Sequence, residues 1–329
     1  MKRRMFIALL GGAAASSLWP LSAQGQPESK VRRIGYLGLA PAATSATRVE
    51  ALRAGLRDLG YVEDQNLVIE FRWGDNPDQL RELAAELVLS NVELIFGTSS
   101  TEVGAARQAT TTIPIVFATH ADPVGTGHVA SLARPGGNIT GLSVLQTDLT
   151  AKAIEILKEA VPAATSFGIL SSPAVPSHKP TVEAARAAGE KLGLWLHVVA
   201  VQSTDEFEAA FASLHLAGVH GLFVAASSLT VRANPGLLAQ LALKHGLPTM
   251  FGSRDNVAAG GLMSYAPDQV DLSRRAAVYV DRILRGTKPA DLPVEQASRY
   301  QLVINLRTSH TLGITVPPTL LARADEVIE

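Results

Sequence analysis

Four consecutive hydroxyl residues, Thr98-Ser99-Ser100-Thr101, stand between the apolar run VELIFGT and a helical pattern over about 100–110. A strand end that opens a helix presents free backbone N–H groups, and hydroxyls beside them suit a carboxylate or a phosphate. One of the four is expected to cap the helix. Four in a row exceed what a cap requires, so Ser99, Ser100 and Thr101 are candidate ligand contacts. His120-Ala121-Asp122-Pro123 follows the run IPIVFAT. Asp122 can orient a ligand's donor group or cap the short helix expected after Pro123, and His120 can move a proton or hydrogen-bond its loop. Three further strand ends carry Ser171-Ser172, Ser227-Ser228 and Ser253-Arg254-Asp255. Here Ser172, Ser227 and Ser253 offer hydroxyls, and Asp255 offers a carboxylate matched to an ammonium group. The alternative for Asp255 is helix capping or a local pair with Arg254.

Enzyme signatures are mostly missing. No GxSxG elbow, phosphate-binding GxxxxGK[ST] loop or HExxH pair occurs, and His215 and His220 are five apart, the wrong spacing for a metal pair on a helix. The stretch Gly125-Thr126-Gly127-His128-Val129-Ala130 fits GxGxxA but begins about six residues after its strand, too late for a dinucleotide turn. The chain has no cysteine, which removes thiolate catalysis, disulfides and iron–sulfur clusters. No cofactor and no metal are expected. A net charge of −1 with scattered Lys and Arg argues against a nucleic-acid partner.

The elements that must position these residues follow from periodicity. From Val31, short β-branched runs alternate with amphipathic stretches: strands at 31–37, 66–73, 92–98, 113–119 and 139–145, helices over 45–59, 77–89 and about 100–110, and a short helical piece near 125–133. A second round of similar length runs from helix 150–160 to the strand GLMSYA (261–266). Strands separated by helix-length segments mean βαβ units and parallel sheets with helices on both faces. At 329 residues the chain has room for about two such units. The fold class is α/β, with one lobe formed by 31–145 plus about 266–310 and the other by 146–265 plus about 311–329. Ligands in such sheets bind outside the carboxyl ends of the strands.

The first 23 residues read as a signal peptide. Lys2, Arg3 and Arg4 precede an apolar run of about 15 residues, then Pro20 and small residues, and Arg3-Arg4 before Met5-Phe6-Ile7 is twin-arginine-like. No other segment reaches the ~18 uncharged apolar residues of a membrane span. The expected location is the periplasm, after cleavage.

ADPVGTGHVASLARPGGNITG (121–141), AAGGLMSY (258–265), AAVYVDRILRGTKPADLPVE (276–295) and the ending LVINLRTSHTLGITVPPTLLARADEVIE resemble the ABC-transporter substrate-binding proteins related to tryptophan- and tyrosine-binding proteins. The resemblance implies a type I periplasmic binding fold: two Rossmann-like lobes, three crossovers and a small solute held between them. It implies a membrane permease as partner, with the solute's carboxylate at 98–101 and its amino group at cleft acids, among which Asp255 stands where related sequences often carry Glu. Phe251-Gly252-Ser253 departs from the aromatic-rich stretch of those relatives, which leaves the solute unnamed. A monomer that closes about hinges near 142–148 and 264–268 is expected. Two other readings are an extracytoplasmic enzyme using His120 with Asp122 on a small carboxylate, and the ligand-sensing partner of a signalling system.

Overall fold

In a computed structural model of the protein, the described residues are 31–39, 42–175, 177–225, 230 and 235–329. The leader expected over 1–23 and the candidate Ser227 lie outside them. The described chain builds two sheets. The first contains β1 (Arg32–Gly38), β2 (Leu67–Trp73), β3 (Leu94–Gly97), β4 (Ile115–His120), β5 (Ile139–Ser143) and β11 (Glu295–Gln296), in the order β11-β5-β4-β3-β1-β2 and all parallel. The second contains β6 (Ser166–Ser171), β7 (Trp195–Ala200), β8 (Leu222–Val224), β9 (Thr249–Phe251), β10 (Met263–Pro267), β12 (Tyr300–Asn305) and β13 (Glu326–Ile328), in the order β13-β12-β10-β9-β8-β6-β7.

Both faces of the first sheet are covered, which is why its strands read as continuous apolar runs. Ile34 and Tyr36 of β1 face α1 (Ala42–Asp58) and α9 (Gln269–Leu284). Leu37 faces the opposite layer of α2 (Pro77–Leu89) and α3 (Ser100–Ala109). Helices α1 and α9 approach so closely at Gly55 that a Cβ there would overlap the carbonyl oxygen of Arg274. Between β4 and β5, Gly141 (φ 150°) leaves no room for a side chain against the Phe117 backbone. In the second sheet, α4 (Gln146–Ala160) and α5 (His178–Lys191) cover one face, and α6 (Phe207–Leu216) and α7 (Pro235–Lys244) the other.

The short helical piece expected near 125–133 is instead a string of turns. Thr126, Gly127 and His128 donate their N–H groups to Asp122, Val124 and Pro123, and Gly127 takes φ 68°.

The chain crosses between the sheets three times: after β5 through Val144-Leu145, after β10 at Asp268, and after β11 through 297–299. The sequence assigned about 266–310 to the first lobe, but strand pairing gives Tyr300–Asn305 to the second sheet, antiparallel to β10 with Pro267 opposite Tyr300. The physical reason is direction: β10 leaves the second sheet toward the first and β12 returns from it, so side by side they must run opposite ways. The sheet is therefore mixed rather than wholly parallel.

Candidate ligand-binding site

A cavity, partly open to solvent, lies where the two sheets meet. Its wall is drawn from the first sheet and its helices, from the crossings that lead into α4 and α9, and from Val175, Ser177 and Gly252 of the second sheet's loops. The placement is the one an open α/β sheet dictates, beyond the carboxyl ends of the strands.

The hydroxyl run at 98–101 is on this wall. Ser99 is the N-cap of α3 in extended conformation, and Ser99 with Glu102 forms a capping box. The Ser99 hydroxyl is hydrogen-bonded to Glu102, whose Oε2 also accepts the Ser99 N–H at 3.1 Å. Oε1 accepts from the Thr98 hydroxyl at 3.1 Å. Ser100 is buried, its Oγ 3.2 Å from His120 Nδ1 while accepting the Ala121 N–H at 3.2 Å. Three of the four hydroxyls are thus engaged locally. The Thr101 hydroxyl makes no hydrogen bond among the described residues, and it lines the cavity.

His120 is fully buried and does not line the cavity. Its Nδ1 accepts the Asp122 N–H at 3.2 Å, so the proton sits on Nε2, which donates to His128 Nδ1 at 2.7 Å. Burial, with the neighbouring His128, holds His120 well below the usual histidine range. Burial, with Arg107 nearby, lowers His128 to about 4. Both rings are neutral at pH 7. Asp122 is turned into its own loop, its Oδ1 accepting the Gly125 N–H at 2.7 Å, and it also does not line the cavity.

The second-lobe candidates are dispersed. Ser172 is buried off the cavity, its N–H donating to His178 Nδ1 at 2.8 Å. Ser253 caps the short helix α8 (Arg254–Ala258) by accepting the Asp255 N–H. Ser253 and Asp255 line a second cavity together with Asp268 and Arg48. Arg254 does not pair locally with Asp255; it makes a bidentate bridge to Glu326 at 2.7 and 2.6 Å.

Arg48, Gln146, Ser177 and Gln269 also reach the main cavity, and the sequence did not single them out. Arg48 donates to Gln269 Oε1 at 3.1 Å and Ser45 Oγ at 3.2 Å, and it has no ion-pair partner among the described residues. Its one sequence signal is being the first charge in an otherwise neutral start of α1, AATSAT. Gln146 and Ser177 carried none, because each stands among other polar residues at a helix start, Gln146-Thr147-Asp148 and Ser177-His178-Lys179. A guanidinium without a carboxylate partner, facing the N-terminus of α3, makes the wall electropositive and able to hold an anionic group.

The comparisons with known proteins agree with this geometry. A family model described as ABC transporter substrate binding protein matches residues 42–328. The chain is 27% identical over 261 residues to a Clostridioides difficile protein named tyrosine-binding protein, covering 79% of this chain and 74% of that one. A Streptococcus pneumonia ABC domain solved in complex with L-Trp is 28% identical, with TM-score 0.85 over 90% of this chain and 99% of that one. A conserved domain protein from Vibrio cholerae is 27% identical, with TM-score 0.86 over 91% of this chain and all of that one. With a family model matched from the first helix to the last strand, the chain belongs to the ABC transporter substrate-binding protein family.

Proposed function

We propose that this protein works outside the cytoplasmic membrane as the solute-binding component of an ABC importer, capturing a small carboxylate-bearing solute between its lobes and delivering it to a membrane permease. The observation that carries the reading is Arg48. It stands on the cavity wall beside the start of α3 without a carboxylate partner among the described residues, so a solute's carboxylate completes it. Relatives named for tyrosine or solved with L-Trp support a ligand of amino-acid size.

Closure is the mechanism this reading requires. Only three short crossings join the sheets, and residues on both sides of them wall the cavity. A solute touching both lobes favours the closed form by its differential affinity, so a permease that docks the closed form reads occupancy. Binding rather than turnover is supported by His120 and Asp122, neither of which lines the cavity. No helix among the described residues is long and apolar enough to cross a membrane. The monomeric state, periplasmic location and permease partner belong to the same proposal.

The test has two parts. Small molecules released by denaturing the natively purified protein are identified by mass spectrometry, and X-ray scattering is recorded with and without the released compound. A co-purified carboxylate that lowers the radius of gyration supports the reading. A protein that carries nothing, and whose scattering no carboxylate changes, overturns it.

A further inference from the structure

Resting on that reading, we infer that the solute is a small non-aromatic carboxylate bearing a second polar group, such as a carboxylate, amide or hydroxyl, which Gln146 and Ser177 receive. Both side chains are at least nine-tenths buried, at 9% and 4% exposure, and both line the cavity. The Gln146 amide makes no hydrogen bond among the described residues. The Ser177 hydroxyl makes none either, although it precedes α5, where a serine ordinarily caps the first turn. The polar atoms of both stay accessible to the cavity rather than sealed from it, so a bound solute takes the place of water as their partner.

The backbone fixes Gln146 in this position. Leu145 adopts φ 45°, ψ 59°, the left-handed region that bulky L-residues avoid, and it does so at the first crossing. The Gln146 N–H donates to the Ala121 carbonyl at 3.0 Å, and the Gln146 carbonyl accepts the Thr150 hydroxyl at 2.7 Å. The amide is thus presented to the cavity from the hinge itself, where the bond it forms is sensitive to closure.

Three features set the solute's class. First, the wall's one carboxylate, Glu102, already accepts three hydrogen bonds from Thr98 and Ser99. On the same wall Arg48 can only donate, while Thr101, Gln146 and Ser177 can donate or accept, so the cavity suits a carboxylate together with a second polar group. Second, no aromatic ring lines the cavity. Tyr36, Phe71, Trp73 and Phe96 stack on one another at 5.1–6.1 Å, Phe251 is fully buried, and Tyr265 pairs with Tyr300 at the crossings. None of the undescribed residues beyond position 30 is aromatic. Third, the apolar wall is chiefly aliphatic, from Leu39, Val144, Val175 and Pro267, which suits a short carbon chain rather than a ring that gains from stacking.

The test is calorimetric titration of the full chain with L-tryptophan, L-tyrosine, L-glutamate, L-glutamine and L-malate. At least one of the last three is expected to bind 100-fold or more tighter than either aromatic acid. Gln146→Ala and Ser177→Ala should each weaken that binding about tenfold with thermal midpoints unchanged, and Gln146→Glu should weaken a dicarboxylate more than glutamine. Tryptophan or tyrosine binding as tightly as the aliphatic probes overturns the inference, as does an affinity unmoved in both alanine variants. If that aromatic binding disappears in Arg48→Ala, the transport reading stands while this inference falls. Failure of all five probes, with no small molecule released from the native protein, overturns both.

Discussion

Ser100 Oγ lies 3.2 Å from His120 Nδ1, and through this pair the first residue of α3 is tied to the last residue of β4. The same Oγ accepts the Ala121 N–H, so the serine bridges two loops on the cavity wall without offering its hydroxyl to the cavity. His120 acts beneath the site, holding the backbone that faces it.

His120→Ala is expected to destabilise the protein by about 2 kcal/mol, since it opens a fully buried site, removes the acceptor of the Ser100 O–H and leaves the Asp122 N–H unpaired. His120→Asn, which can place an acceptor near the Nδ1 position, should recover part of the loss. Urea unfolding of both variants checks this, and equal losses in the two would remove the hydrogen-bonding role.

Stability should fall in mild acid. His120 and His128 titrate below the ordinary histidine value of 6.5 when folded, His128 at about 4, whereas both take up protons near 6.5 when unfolded. Between about pH 6.5 and 4 the unfolded chain binds more protons, so stability is retained above this window and lost as pH drops through it. The slope is at most about 1.4 kcal/mol per pH unit for each ring. Urea midpoints from pH 4.5 to 8 measure it, and His128→Gln should flatten the curve; an unchanged slope in that variant refutes the assignment.

Arg48 and Asp255 should separate in binding. Arg48→Ala is expected to weaken solute binding at least 30-fold, and Arg48→Lys less, because the charge is kept while the planar fork is lost. Asp255→Asn should change affinity less than threefold, since Asp255 lines the second cavity and not the main one. A large loss in Asp255→Asn would place the solute's cationic end there instead.

Tyr36→Phe should be neutral or stabilising by up to about 1 kcal/mol. The Tyr36 hydroxyl is buried without a hydrogen-bond partner among the described residues, inside a cluster of rings, and burial raises its pKa well above the ordinary phenol value. A thermal midpoint several degrees lower would mean that the hydroxyl has a partner in solution.

The start of α3 was legible in the sequence because its chemistry is local, whereas α4 begins at Gln146, four residues before the position that periodicity gave. Ser99 three residues before Glu102 is a capping-box spacing, and the strands β1, β3 and β4 announce themselves as apolar runs because helices cover both faces. The hydroxyl run was visible for the same reason. Which of its hydroxyls remain free was not, since that depends on His120, twenty residues beyond Ser100, arriving beneath it.

The sequence by itself determined two rounds of βαβ units, their caps and the strand ends at which a ligand could sit, all of which follow from periodicity and neighbouring residues. Tertiary structure alone decided that β12 runs antiparallel in the second sheet, because its direction depends on which lobe the chain returns from. It also decided that Arg48, Gln146 and Ser177 share one wall. Their separation along the chain carries no signal, and only the crossings between the sheets bring the three together.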